Sequence, residues 1–445
     1  MNTPAYCLVI AHDFPPFAGG GVMRIHKFVK YLPEFGITPI VVTIKENYYD
    51  SKDLSLFNEY SQTPEIYRTR TINIKSVYNF FKRKKNLNSN NINEIYGVDK
   101  SSLFSKFLDN ASSCVLIPDI KILWLPFCLK ECSRLIKKYS INTFISTSPP
   151  HSTQIAGLLL KKKFRHIRWI ADFRDLWTDY DVYTYPFAYF KKIENYMEKK
   201  VFSNADKILC ATEPVKKSFT DKYIDLNPEK FITLTNGFDP ADFEEVNTTA
   251  DAATLNAKSS IFRIVYTGSL NDWRNLDNFT QALRILLDKN LIDKNKIKIK
   301  LFGHITHKDS LTITSRKLSD IFEIHGMQEH RQSLAMLKEA DMLLLIIGQL
   351  EGAEVMTGKI YEYIGARRNI FGIVINNGEA ERILKKYSLG YTADTSSPEI
   401  IAEIFLKAYN DFFSGLFKHS PDSEVYKVYS RYELARKLAV LIKAE

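Results

Sequence analysis

Cysteine is scarce in this chain of 445 residues: only five are present. Cys7, Cys114, Cys128, Cys132 and Cys210 form neither an even disulfide framework nor a zinc-ligand spacing. Cys128 and Cys132, four residues apart, read as buried thiols on one helix. Long apolar runs are missing too: no stretch approaches the roughly 20 residues of a spanning helix. The run "YCLVIA" is broken at once by "HDFPPFAGGG", too short for a signal h-region and without a cleavage site. A reducing, cytoplasmic setting without a transmembrane anchor is therefore expected. The spaced G-x-G-x-x-G of a dinucleotide site is absent, and "PIVVTIKEN" offers only Glu46 as a later acid, which argues against NAD. No Ser-His-Asp or metal-ligand cluster points to a hydrolase.

What is present is an ordinary globular composition, 45% hydrophobic and 25% charged, with a formal charge of +10 that favours anionic partners without choosing among them. Short β-branched runs alternate with longer amphipathic stretches, the pattern of parallel sheets covered by helices. The strands expected in the first half are 6–11, 39–44, 144–147, 168–172, 207–211 and 231–235. Those of the second half are 262–267, 297–302, 321–324, 342–347 and 370–375. Between the sets lies "EEVNTTADAATLNAKSS", small and polar, read as a linker over 244–260. The expected domains are 1–243 and 261–420, with an amphipathic helix in 421–445 that could pack on either. "FFKRKKNLNSNNINE" is read as an excursion inside the first domain.

Chemistry-bearing residues cluster at strand ends. Gly19, Gly20 and Gly21 precede a helix whose apolar positions Val22, Ile25, Phe28, Val29 and Leu32 keep a 3.6 period, so they form either a tight turn or a backbone cradle for an anion. In the second half, "DMLLLIIGQL" reads as a buried strand and "GKIYEYIGARR" as a helix. This puts Glu354 in the connecting loop and Glu362 one turn into the helix, flanking the backbone of Val355, Met356, Thr357 and Gly358. A carboxylate can clamp a ribose diol, a second can orient sugar hydroxyls, and a helix start with Lys359 can take a diphosphate. The bland alternative is a surface helix with a glutamate near its cap. "FRIVYTGSLNDWRNLDNF" adds Gly268 and Arg274 at another strand end, and "IHGMQEH" adds Gly326 and His330.

Together, "VYTGSL…RNLDNF", "HGMQEH" and "EGAEVMTGKIYEYIGARRNIFG" resemble the retaining glycosyltransferases of family four, and "FPPFAGGGVMRIHKFVKYLPEFG", "STSPPHSTQIAGLLLKKK", "WIADFRDLW" and "TNGFDPADF" resemble that family's first domain. The resemblance implies an α/β GT-B fold: two facing Rossmann-like domains with parallel sheets and a cleft between them. It implies metal-independent hexosyl transfer from a nucleoside-diphosphate sugar, used as co-substrate with no cofactor. By position, Glu354 would contact the transferred sugar, Glu362 the ribose, and Arg274 with Lys359 the diphosphate, while Gly20, Gly21, Gly268 and Gly326 would shape the donor site. Asp172 is expected near the chemistry, and Asp13, His151, Arg174 and Asp175 on the acceptor side. Two departures stand out: Ser269 replaces a basic residue common after "YTG", and Gln154 stands where related chains carry histidine.

Two stretches, "SVYNFFKRKKNL" and "ILWLPFCLKECSRLIKKY", mix aromatics with bases, suiting either an anionic membrane surface or helices packed on their own domain. On the membrane reading, the acceptor is a lipid-linked saccharide of surface-polysaccharide (O-antigen type) assembly, and the protein is peripheral on the inner face. A nucleotide-sugar 2-epimerase is the competing enzyme reading. A non-catalytic nucleic-acid binder is the other alternative, but the scattered bases give no stripe, so no nucleic-acid partner is expected.

Overall fold

In a computed structural model of the chain, residues 5–17, 21–49, 52–61, 63–72, 116–179, 188–244, 260–348, 356–417 and 423–444 are described. They form two compact units, Met1–Thr235 joined by Ala435–Glu445, and Asn236–Leu434. The stretches read as linker and as basic excursion fall almost wholly outside the described residues.

The first unit runs β1 (Ala5–Ile10), α1 (Val22–Tyr31), β2 (Ile37–Ile44), β3 (Glu65–Thr69), α2 (Leu125–Tyr139), β4 (Thr143–Ser148), α3 (Ser152–Lys163), β5 (Arg168–Phe173), α4 (Ala188–Asn204), β6 (Lys207–Cys210), α5 (Glu213–Lys222) and β7 (Phe231–Thr233). The second runs α6 (Pro240–Glu244), β8 (Phe262–Thr267), α7 (Asp277–Asp288), β9 (Ile297–Phe302), α8 (His307–Ser315), β10 (Phe322–Gly326), α9 (His330–Glu339), β11 (Met342–Ile346), α10 (Gly358–Ala366), β12 (Asn369–Val374), α11 (Glu379–Lys386), β13 (Gly390–Asp394), α12 (Pro398–Phe413) and α13 (Ser423–Val428). The last helix, α14 (Arg431–Lys443), begins in the second unit and ends in the first.

Each unit is built on one all-parallel sheet, ordered β3-β2-β1-β4-β5-β6-β7 in the first and β10-β9-β8-β11-β12-β13 in the second. Both reverse direction beside their first strand, the doubly wound Rossmann arrangement. The continuous apolar runs follow from burial on both faces. In β11, Met342, Leu344 and Ile346 face one core, with Phe262, Ile264 and Tyr266, while Leu343 and Leu345 face another, with Val265 and Ile364. A register of Met342↔Asn369 through Ile346↔Ile373 locks β11 to β12.

The expected strands are all present within two residues at each end. Two strands escaped the sequence reading, β3 ("EIYRT") and β13 ("GYTAD"), and both are sheet edges with mostly half-buried or exposed residues. An edge strand pairs on one side only and shows no apolar run. Cys7, Cys128, Cys132 and Cys210 are buried free thiols, as the spacing suggested.

Candidate functional site

In an open parallel sheet the loops at the carboxyl ends of the strands bind ligands where the strand order reverses. In the second unit that point lies between β8 and β11, and three features gather there. Gly268 follows β8 at a φ of +121°, a conformation side chains rarely adopt. Lys359, the second residue of α10, lies across it, so that a Cβ at Gly268 would fall 2.0 Å from the lysine Cε. The lysine Nζ donates to the Tyr266 hydroxyl at 2.8 Å and sits 4.4 Å from that ring's centroid. A glycine thus lets a cation lie flat over the strand end.

The helix start is the second feature. Thr357 is the N-cap of α10 in extended conformation, yet its side chain caps nothing. Its Oγ1 is buried with no hydrogen-bond partner among the described residues, a costly state for a hydroxyl. Met356 is half-buried and Gly358 exposed beside it. A helix start open in this way is an anion-binding geometry.

The third is the loop after β8, in which Arg274 is held by its N–H to Asn271 Oδ1 at 2.8 Å and by the Asn271 N–H to its carbonyl, also 2.8 Å. The Trp273 carbonyl packs so closely on Gly348, at the end of β11, that a Cβ there would fall 1.9 Å away. Glu362, on the second turn of α10, accepts from His330 at the start of α9, Oε1 to Nε2 3.1 Å, and both side chains are partly exposed. Gly326 closes β10 at a φ of +66° with open space around it. Glu354 and Val355 lie outside the described residues, so the pair of glutamates is seen here by its second member alone.

The corresponding point of the first unit lies between β1 and β4. A cavity of about 30 Å³ there is lined by His12, Asp13, Phe17, Gly21, Val22, Ile25, Thr147, Pro149 and Arg174. Asp13 accepts from His12 Nδ1 at 2.7 Å. Burial alone would raise its carboxyl, but the His12 bond and the charges of His12, Lys121 and Arg174 hold it below the usual range. Arg174 donates to the carbonyls of Ser148 (3.1 Å), Pro149 (2.6 Å) and Gly21, against whose Cα it lies too closely for any side chain. Asp175 beside it is exposed, and Gly20 is outside the described residues. His151 is buried, stacked 4.8 Å from Trp177, and its Nδ1 has no partner among the described residues; burial and then Arg174 push its pKa down to about 3.

Asp172 has a different place from the one expected. It is 1% exposed and forked by Arg24, Nη2 to Oδ1 2.8 Å and Nε to both oxygens at 3.1 and 3.2 Å, while Thr147 Oγ1 donates at 2.8 Å. Arg24 donates further to the carbonyls of Leu234 and Thr235, both at 2.7 Å. The carboxylate therefore clamps α1 and β4 to β5. Gln154, at the position where histidine was noted as common, is likewise buried, bonding Ser146, Ser148 and the Asp172 carbonyl.

Residues that the sequence reading passed over are Arg24, Tyr266 and the partnership of His330 with Glu362. Arg24 sits among the apolar positions of α1, and its local pattern does not show which carboxylate it meets 148 residues away. The helix read as a basic aromatic stretch, α2, turns Leu125, Cys128, Cys132, Leu135 and Ile136 into the first unit's core, with Trp124 just before it, so packing on its own domain accounts for most of its apolar side. Among the described residues no helix is long and apolar enough to cross a membrane.

No family model matches the chain, and no curated protein matches it by sequence. Solved structures match along its whole length. Sucrose-phosphate synthase from Thermosynechococcus elongatus superposes with a TM-score of 0.63 at 14% identity, covering 98% of each chain. The lipopolysaccharide outer core galactosyltransferase WaaB, in its apo form, gives 0.55 at 12%, covering 99% of this chain and 100% of that one. HepE from Anabaena, in complex with UDP and glucose, gives 0.54 at 10%, covering 98% and 95%. A putative UDP-N-acetylglucosamine 2-epimerase from Listeria monocytogenes gives 0.57 at 10%, covering 99% and 96%. The chain therefore has the GT-B type of α/β fold, two Rossmann-like units each on a parallel sheet.

Proposed function

We propose that the protein is a retaining glycosyltransferase resembling those of family four, moving a sugar from a nucleoside-diphosphate sugar to an acceptor hydroxyl. The observation that carries this reading is the convergence of Lys359 across Gly268 with the unpartnered Thr357 hydroxyl at the open start of α10, at the switch point of the second sheet. A diphosphate would offer acceptor oxygens to the Thr357 hydroxyl, which has none among the described residues, and charge to the lysine. As the bond from anomeric carbon to diphosphate oxygen breaks, its electron pair moves to the leaving group. Oriented N–H dipoles and fixed cations stabilise that charge best where water is excluded. Lys359, Arg274 and the first turn of α10 fill this role without requiring a metal.

Glu362 is assigned to the ribose hydroxyls, with His330 fixing its rotamer, and Glu354 to the transferred sugar by the family resemblance. The acceptor oxygen forms the new bond on the same face of the sugar, and its proton leaves with the departing phosphate. We assign the acceptor to the first unit's switch point, with Asp13, Arg174 and Asp175 within reach of its hydroxyls. His151 is held neutral beneath that surface, and Asp172 acts through the position of β5. The acceptor class we favour is a lipid-linked saccharide, with the protein peripheral on an anionic membrane.

A uridine donor is the first to test, because HepE was solved with UDP and glucose. A thermal-shift screen against UDP, GDP, TDP and ADP, repeated on Glu362→Ala, checks the donor site. A nucleotide that stabilises the wild type and not the variant supports it, and no shift with any nucleotide refutes it. The likeness to the Listeria 2-epimerase keeps a second enzyme reading in play. Conversion of the nucleotide sugar to its epimer without an acceptor would select that reading.

A further inference from the structure

We propose that the outward face of α4 is a docking surface for an anionic lipid bilayer, which deepens the membrane-linked reading above by naming the face that touches the lipid. Tyr189, Ile193 and Tyr196 are 52%, 37% and 64% exposed, and Ile224, in the loop after α5, is 86% exposed. At roughly 100° per residue, Tyr189, Ile193, Tyr196 and Lys200 fall within about 60° of one another around the helix axis, with Lys192 on the adjoining flank. The opposite side of the helix carries Phe190, Glu198, Val201 and Phe202, all buried. The outward stripe is thus a second apolar face, largely open to solvent.

Its charge is one-sided. Lys191 and Lys199 are matched by Asp179 and Asp225. Lys192 and Lys200 have no carboxylate partner among the described residues, and Lys200 lies 5.3 Å from the Tyr196 ring centroid. The carboxylates of α4 point elsewhere: Glu194 accepts from the Trp177 indole, and Glu198 is buried against Lys222, Thr178 and Tyr223. The Lys199 to Asp225 bridge ties the loop carrying Ile224 to the end of α4, so the two apolar patches adjoin. Tyrosine rings with an aliphatic neighbour and exposed lysines suit the headgroup layer: rings at the acyl boundary, ammonium groups on lipid phosphates. On α2, by contrast, Phe127 is the one large apolar residue exposed, the others being half-buried or turned inward.

The test is co-sedimentation of the full chain with vesicles of phosphatidylcholine alone and with roughly a third of phosphatidylglycerol, alongside Lys192→Gln/Lys200→Gln and Tyr196→Trp. Binding to the anionic vesicles only, weakened by salt and reduced about thirtyfold by the double lysine variant, is the expected result. The introduced tryptophan should shift its emission to the blue on vesicles. Absence of binding to anionic vesicles, or binding unchanged by the lysine variant, overturns the proposal. So does lipid-free self-association that Ile193→Glu abolishes, which would make the face a contact between copies. The assay uses no nucleotide, so it can succeed where the donor screen fails and the reverse.

Discussion

Replacing Asp172 by asparagine separates a structural carboxylate from a catalytic one. The side chain keeps its shape, but Arg24, itself 2% exposed, loses the charge that balances it. Removing one partner of a buried pair costs about 3–5 kcal/mol, because the other charge stays desolvated. For a unit of this size, each kcal/mol shifts the midpoint by roughly 2–4 °C, so a fall of about 6–20 °C is expected in a thermal melt followed by circular dichroism. Arg24→Met/Asp172→Leu should recover only part of the loss, since the carbonyls of Leu234 and Thr235 would then lose their donor. Turnover of each variant, measured well below its own midpoint, should remain close to that of the wild type. A melting point within 2 °C of wild type (about 1 kcal/mol or less) together with a collapse of turnover would refute the reasoning and make Asp172 part of the chemistry.

Other outcomes follow from the same geometry. Gly268→Ala should cost about 1–3 kcal/mol from the strained φ and push Lys359 off the strand end, and calorimetry should show weaker UDP binding; unchanged affinity would separate the lysine from the phosphate. Thr357→Val removes a buried hydroxyl that has no partner among the described residues, so stability should hold while UDP affinity falls about tenfold; equal affinity would free Thr357 of a ligand role. Two groups with large shifts contribute to the acid limb of stability. His151 has a folded pKa near 3 against an ordinary 6.5, so its contribution is intact above about pH 6.5 and is lost as pH falls toward 3. Glu59 is held at about 2 against an ordinary 4.5, where burial alone would raise it, by the His26 bond and the charge of Lys27, so its contribution is lost between about pH 4.5 and 2. Denaturation of His151→Phe across pH should lose the upper part of the slope and keep the lower; an unchanged profile would contradict the buried neutral imidazole.

Much of the architecture was legible before any coordinates. Runs such as "DMLLLIIGQL" and "FRIVYT" are apolar at both alternating positions because their strands are covered on both faces, and that property is local enough to read. The edges β3 and β13 were not legible, since half-covered strands carry the composition of loops. At the site, residue type and place in the chain were visible for Gly268, Thr357, Lys359 and Glu362. The partners were not: Lys359 meets Tyr266 across 93 residues, and His330 meets Glu362 across 32.

Sequence by itself determined where the buried strands lie, which positions are apolar, and that glycines and cations stand at strand ends. Only the tertiary structure decided which charges are spent. Asp172 and Arg24, 148 residues apart, consume each other inside the first unit, while Lys192 and Lys200 stay outward on α4. Periodicity is a property of neighbours along the chain, whereas the burial and pairing of a charge depend on what the fold brings against it from far away, and the cost of desolvation makes that choice decisive.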